Sequence, residues 1–203
     1  KDSSLVQSAM VRDNAPFTMH IPAAADKKRL KLVLGITTYN RVDYLRECIE
    51  SFMRTRNSRH EWVVIIADDG SEDGTLEYLD QLVLQHEVHV IRNKRRYACG
   101  QTNTIFELAK EIGFDIGFKV DDDLAFMRPG WDDIYVNAVQ QSGYHHLCYR
   151  NLKVYTQLRE RDEPDFRWEP AAFDESRACI ALADAHMDLG TGGLFTFTED
   201  VID

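Results

Sequence analysis

Long apolar runs are missing from this chain: nothing in its 203 residues approaches the ~18 uninterrupted apolar positions of a membrane-spanning helix. The N-terminus also lacks the charged-then-apolar layout of a secretion signal. Cysteine is scarce and scattered. Cys48, Cys99, Cys148 and Cys179 form no Cys-x-x-Cys pair and no histidine stands at zinc-ligand spacing, so neither disulfides nor structural zinc is indicated, and buried, reduced thiols are expected. Proline is rare at 5 residues and glycine numbers 11; with 44% hydrophobic and 10% aromatic residues, this excludes collagen-like and disordered chains. Positive charge is in deficit. The 24 Lys and Arg face 34 Asp and Glu, a net charge of -10, which argues against a general nucleic-acid or anionic-membrane binder. An anionic ligand would then need a bound cation or a local basic patch. A cytoplasmic location is expected, compatible with work at the inner face of a membrane.

The length suits one α/β-sized domain with an appendage. Residues 1–29 are polar, aperiodic and punctuated by Ala and Pro, and they read as an arm or linker; residues 30–203 read as the domain. A first residue of Lys1 rather than Met leads us to expect a piece of a longer polypeptide with other domains. From Lys31 the pattern cycles. Lys31–Ile36, Trp62–Ala67, Val88–Ile91 and Ile116–Val120 are short apolar runs of the buried-strand type. Between them, Val42, Leu45, Ile49 and Phe52, then Leu76, Leu79 and Val83, then Ile105, Leu108, Ala109 and Ile112 fall at helical spacing. Asn40 is placed to cap the first of these helices. Strands apolar throughout, alternating with helices, predict an α/β fold with a mostly parallel sheet flanked by helices. Ligands of such sheets sit beyond the carboxyl ends of the strands, where the strand order switches. Farther on, Pro129-Gly130-Trp131 opens a helix through Gln141, residues 144–149 read as a strand, and residues 158–172 as a long charged loop.

Every polar cluster falls at a strand's carboxyl end. Thr37-Thr38-Tyr39-Asn40 either holds a nucleobase by stacking and hydrogen bonding or is a capping turn with a packed Tyr. Asp68 and Asp69 are adjacent carboxylates ending an apolar strand, which is costly unless they are hydrogen-bonded or solvated; Ser71 and Asp73 are placed to cap the next helix. Asp121, Asp122 and Asp123 end a buried strand and repel one another unless a hard divalent cation neutralises them, the bland alternative being a solvated acidic turn. Such a cation keeps positions for water and substrate phosphates, the pattern of a metal–diphosphate site. Asn93 to Gly100, with Lys94, Arg95 and Arg96, is a cationic patch directly before a helix N-terminus whose amides favour phosphate, or else a solvated loop.

Taken in order, Gly35 to Arg41, Ala67 to Ser71 with Asp73-Gly74-Thr75, Gly100 to Asn103, and Val120 to Asp123 with Pro129-Gly130-Trp131 resemble the motifs of family 2 glycosyltransferases. The resemblance runs from about Leu32 to Ile202 and implies the Rossmann-like GT-A fold. It implies that Thr37, Tyr39 and Asp69 hold the nucleobase, usually uracil, with the carboxylate accepting from the ring N–H. Asn40, Asp68, Arg95, Gly100 and Asn103 complete the nucleotide site, and Asp121 and Asp122 extend it to the ribose. Asp123, with Asp121, would meet Mn2+ or Mg2+ on the diphosphate. Gly192 and Gly193 would border the sugar and acceptor. Beside that resemblance, Trp131 and Trp168 are candidates to stack on the sugar, Trp131 being equally a packed residue at a helix start, and His186, structural or at the surface like His145 and His146, is the histidine placed to border the acceptor.

The implied reaction is metal-dependent inverting transfer from a nucleotide sugar, with UDP as carrier, to a carbohydrate or glycolipid hydroxyl in polysaccharide or glycoconjugate synthesis. Asp200 is the candidate catalytic base. The family's spacing also puts the base past Asp203, which would leave Glu199-Asp200 as the acidic first turn of a helix. A non-catalytic nucleotide-sugar-binding module is therefore the second reading. A receiver-like or phosphatase-like domain fits less well, because such folds want their Asp after the first strand, where Thr37 to Asn40 stand here.

Overall fold

The computed structural model describes residues 28–127, 129–151, 178–182 and 193–202; the expected arm, but for residues 28 and 29, and the loop over 158–172 lie outside these. Nearly all described residues belong to one of two units into which the chain divides, Ile21–Arg150 with Ile180–Asp203. In chain order its elements are β1 Lys31–Thr38, α1 Val42–Thr55, β2 Glu61–Asp68, α2 Thr75–Gln85, β3 Val88–Arg92, α3 Tyr97–Ile112, β4 Ile116–Asp121, α4 Trp131–Ser142, β5 Leu147–Asn151, β6 Ala178–Leu182, β7 Leu194–Phe197 and α5 Glu199–Ile202.

Seven strands form one sheet in the order β3-β2-β1-β4-β7-β5-β6. β3, β2, β1 and β4 run parallel, while β7 is antiparallel to both β4 and β5. The reason is visible in the burial. Five consecutive residues of β1, Leu32 to Ile36, are buried, as are Val64 to Asp68 of β2, so both faces of the central strands are covered. After β3 the chain returns through α3 to lay β4 on the far side of β1, and this reversal puts the topological switch between β1 and β4. Thr37 is there in register with Asp121.

Close approach of α3 depends on Gly35: a Cβ at that position would collide with the Ile105 side chain. Gly117 does the same for the Phe197 ring, which packs against β4. The helix faces fall where the periodicity puts them, with Leu45, Cys48, Ile49 and Phe52 of α1 buried. Burial of side chains of this size stabilises the fold by about 1.5–3 kcal/mol each.

Local details differ from the sequence expectation. Asn40 does not cap α1; Asp73 accepts from the Val42 amide at 3.1 Å instead, and its other oxygen takes the Thr75 amide and hydroxyl of α2. Asn40, at φ 51, spans to the neighbouring turn, where its amide donates to Ser71 Oγ at 2.8 Å and its side chain accepts from Glu72 N at 2.7 Å. Ser71 is thus a staple between loops rather than a helix cap. Cys48 is buried as expected, but Cys99 is exposed on the first turn of α3.

Candidate functional site

Thr38 ends β1 and ties the three neighbouring strand ends together. Its carbonyl accepts from the Asp69 amide at 3.0 Å, and its hydroxyl donates to Asp122 Oδ2 at 2.8 Å. The Asp68 carbonyl accepts from Asn93 N at 3.1 Å, and the Asp121 amide donates to the Gly193 carbonyl at 3.0 Å. The carboxylates after β2 and β4 therefore converge on the two sides of β1.

On the β2 side, Asp68 is buried and closes a turn, its Oδ2 accepting from Gly70 N and Ser71 N at 3.0 and 3.1 Å, while its buried Oδ1 has no partner. Asp69 reaches across to α3. Its Oδ1 accepts from Arg96 N at 2.5 Å and Gln101 Nε2 at 2.6 Å, its Oδ2 accepts from Tyr97 N at 3.0 Å, and Arg95 Nε lies 3.5 Å away. Burial opposes the charge, yet the Arg96 amide, the Gln101 side chain, the Tyr97 amide and Arg95 outweigh it and hold the Asp69 carboxyl below its ordinary value. Two of the amides at the N-terminus of α3, those of Arg96 and Tyr97, are thus engaged by Asp69. Gly100 lies inside the helix and Asn103 is exposed on it. The guanidinium of Arg95 stacks 3.5 Å above the centre of the Tyr39 ring and 5.1 Å from that of Tyr97.

On the β4 side the acidic tip holds its charges differently. Asp121 is ion-paired with Lys119, a buried lysine inside β4. Asp122 is buried and faces Thr38, and Arg41 Nη1 bridges Asp122 Oδ1 at 3.2 Å and Asp123 Oδ2 at 2.9 Å. Burial pushes the Asp122 carboxyl up, and Thr38 and Arg41 only partly compensate. Arg41 is raised in turn, the two aspartates outweighing its own desolvation.

Among the described residues no three His, Cys, Asp or Glu side chains are gathered for a metal. The donors nonetheless fit a hard cation of the kind that takes one or two carboxylates and completes its shell with water and phosphate. Asp121 and Asp123 are 41% and 47% exposed at the side chain, and each ion pair engages one oxygen. Asp122, turned inward, is not part of that donor set.

Lys119, Arg41 and Gln101 were given no individual role from the sequence, and Thr38, expected at a nucleobase or in a capping turn, instead bonds Asp69 and Asp122. Gln101 carried a signal, a polar side chain on the buried face that continues through Ile105 and Ala109. Thr37 is half-buried beside Asp121. Gly193 stands at the tip through its carbonyl, whereas Gly192, Trp168 and His186 lie outside the described residues. Trp131 is half-buried. Its indole packs against Phe126 at 4.3 Å, Phe118 at 5.2 Å, Trp62 at 5.9 Å and Phe52 at 6.4 Å between ring centres. Asp200 sits in the first turn of α5, exposed, 3.7 Å from His145 Nε2.

Comparison with known proteins decides the family, since the profile of glycosyl transferase family 2 matches residues 34–198. The chain belongs to glycosyl transferase family 2. A curated relative, an uncharacterized glycosyltransferase of Acanthamoeba polyphaga mimivirus, is 26% identical over 133 residues, covering 62% of this chain and 50% of the relative. The family 2 chain thus spans about half the length of the curated relative it matches. Among solved structures, the mannosyltransferase PcManGT from Pyrobaculum calidifontis, in complex with GDP-Man and Mn2+, aligns at a TM-score of 0.55 and 16% identity, over 65% of this chain and 39% of that one. A fragment of S. aureus TarS aligns at 0.49 and 19% identity, over 57% and 34%. The fold is the GT-A fold, a mixed, mostly parallel sheet flanked by helices. No helix among the described residues is long and apolar enough to cross a membrane.

Proposed function

We propose that this chain carries the donor half of a metal-dependent inverting glycosyltransferase, which moves a sugar from a UDP-sugar to a hydroxyl of a carbohydrate or glycolipid. The observation that carries the reading is the meeting of two carboxylate clusters through one residue, Thr38, at the switch point of the sheet. A nucleotide sugar has a planar base at one end and a polyanion at the other. Tyr39 and Asp69 supply a ring face and a carboxylate for the first, and Asp121 and Asp123 supply hard oxygen atoms for a Mn2+ or Mg2+ on the second. The solved relative of the same fold that holds GDP-Man and Mn2+ supports pairing a nucleotide sugar with a divalent cation.

Such a cation stabilises the negative charge left on the departing diphosphate. The chain's own residues do the remainder. Lys119 and Arg41 orient the acidic side chains, Thr38 keeps the two clusters in register, and the Gly193 carbonyl fixes the Asp121 amide. Asp200 is the candidate to take the acceptor proton, a step commonly worth about 100- to 10,000-fold. Its exposure and its pairing with His145 favour the second reading, a module that binds the nucleotide sugar without catalysing transfer.

Calorimetry with a panel of nucleotide sugars, with and without Mn2+, tests the reading. Mn2+-dependent binding of a UDP-sugar is expected, and no binding of any member would end both readings. UDP release that survives Asp200→Asn would remove Asp200 from the mechanism and leave donor binding standing.

A further inference from the structure

The Arg95 guanidinium holds a position that would suit a planar heterocycle. It lies 3.5 Å above the Tyr39 ring, 5.1 Å from the Tyr97 ring, and its Nε is 3.5 Å from Asp69 Oδ2. A guanidinium is flat, weakly hydrated and carries an in-plane N–H donor, so it meets two aromatic faces and a carboxylate in the way a base with a ring N–H would. The rings are also unusually available, Tyr39 being 38% and Tyr97 67% exposed.

Tyr97 reaches this position at φ 61, a left-handed backbone that an aromatic residue rarely adopts. Asp69 holds it there by accepting from the amides of Arg96 and Tyr97. Of the donors on Asp69, the backbone amides and the buried Gln101 are fixed by α3, whereas Arg95 is exposed and at the longest distance. One side-chain rotation therefore releases the Tyr39 face and one lone-pair direction of Asp69 together.

We propose that Arg95 is a built-in place-holder for the nucleobase. An incoming base with a ring N–H exchanges with the guanidinium on Tyr39 and Asp69, and Tyr97 serves as the second aromatic wall. The inference rests on the nucleotide-donor reading and adds to it a residue that competes with the base and a residue that confines it. Because the exchange requires an N–H facing a carboxylate, it selects uracil-like or guanine-like rings over cytosine, which presents a bare ring nitrogen there.

The test uses the neutral nucleoside uridine, so that attraction between Arg95 and phosphate does not enter, and follows amide chemical shifts by NMR titration. Arg95→Ala and Arg95→Lys are both expected to raise uridine affinity by about two- to tenfold, because each removes the planar competitor and Lys keeps the charge. Tyr97→Ala is expected to lower it by a similar factor, and Tyr97→Leu, which keeps bulk without a π-face, to lower it as well. Cytidine should bind the wild type more weakly than uridine does. Unchanged or reduced uridine affinity in both Arg95 variants would overturn the place-holder role, and unchanged affinity in both Tyr97 variants would overturn the second wall. UDP with Mn2+, measured on the wild type by calorimetry, is the separate arm: failure there removes the donor reading itself, while binding there with inert variants removes only this inference.

Discussion

The two acidic clusters at the mouth of the sheet contain the same residue type at the ends of nearby strands, yet they reach opposite electrostatic solutions. Asp69 takes its donors mostly from backbone amides and a buried glutamine, all fixed by α3, and its carboxyl is held below the ordinary value. The tip after β4 has Lys119 and Arg41 as its ion-pair partners, and burial pushes Asp122 the other way. Amide dipoles cannot leave, whereas a half-exposed guanidinium can. Under the proposed function, the first cluster would be a rigid reference point for a neutral ring, and the second a place where one cation would replace another.

If that contrast holds, the largest effect comes from the tip. Asp123→Ala should lower Mn2+-dependent affinity for UDP by about 100-fold or more while leaving metal-free nucleoside binding unchanged, as calorimetry can read. Equal losses with and without metal would mean that the two clusters do not divide the work in this way.

Next comes the rigid side. Asp69→Asn removes a charged acceptor from amides that have no other partner among the described contacts, and we expect it to cost about 2 kcal/mol of stability at neutral pH in denaturant unfolding. The sign with pH follows from the lowered carboxyl. The charged side chain stabilises the fold above the ordinary carboxylate range, near pH 4, and this contribution is lost as pH falls through the lower folded value. The difference between variant and wild type should accordingly be constant near neutrality and shrink only in acid. A difference that persists unchanged to low pH would assign the loss to packing.

How much of this could be read beforehand depends on the range of each interaction. The central strands were legible because five buried positions in a row leave no polar face to misread, as in Leu32 to Ile36. The cost of leaving Asp68 and Asp69 unpartnered was also legible, but the partners were not. Tyr97 N is 28 residues from Asp69, and Asp73 reaches the Val42 amide across 31. Local capping rules therefore assigned Asn40 a task that a distant carboxylate performs. They also gave no sign that Asp69 binds the Arg96 and Tyr97 amides at the start of α3. Trp131 shows the same limit, since a tryptophan at a helix start says nothing of the Phe52, Trp62, Phe118 and Phe126 rings that pack against it. Lys119 stood inside the apolar run Phe118 to Val120 as an anomaly whose meaning needed Asp121 beside it.

The smallest effect is the one that bears most directly on exchange at the tip. Arg41 is half-exposed and shares one nitrogen between Asp122 and Asp123, so the pair with Asp123 resembles a surface salt bridge, worth about 0.2–1 kcal/mol. A divalent cation on Asp123 must compete with it. Arg41→Gln should therefore raise the affinity of the nucleotide-free protein for Mn2+ by about 1.4- to fivefold, the same energy expressed as a ratio, when read by the paramagnetic resonance signal of free Mn2+. Thermal unfolding should fall slightly in the same variant, because Asp122 stays buried with Thr38 as its remaining neutral donor. A fall in Mn2+ affinity would instead make Arg41 a residue that aims Asp123 at the metal, and the tip would then be as pre-set as the Asp69 side.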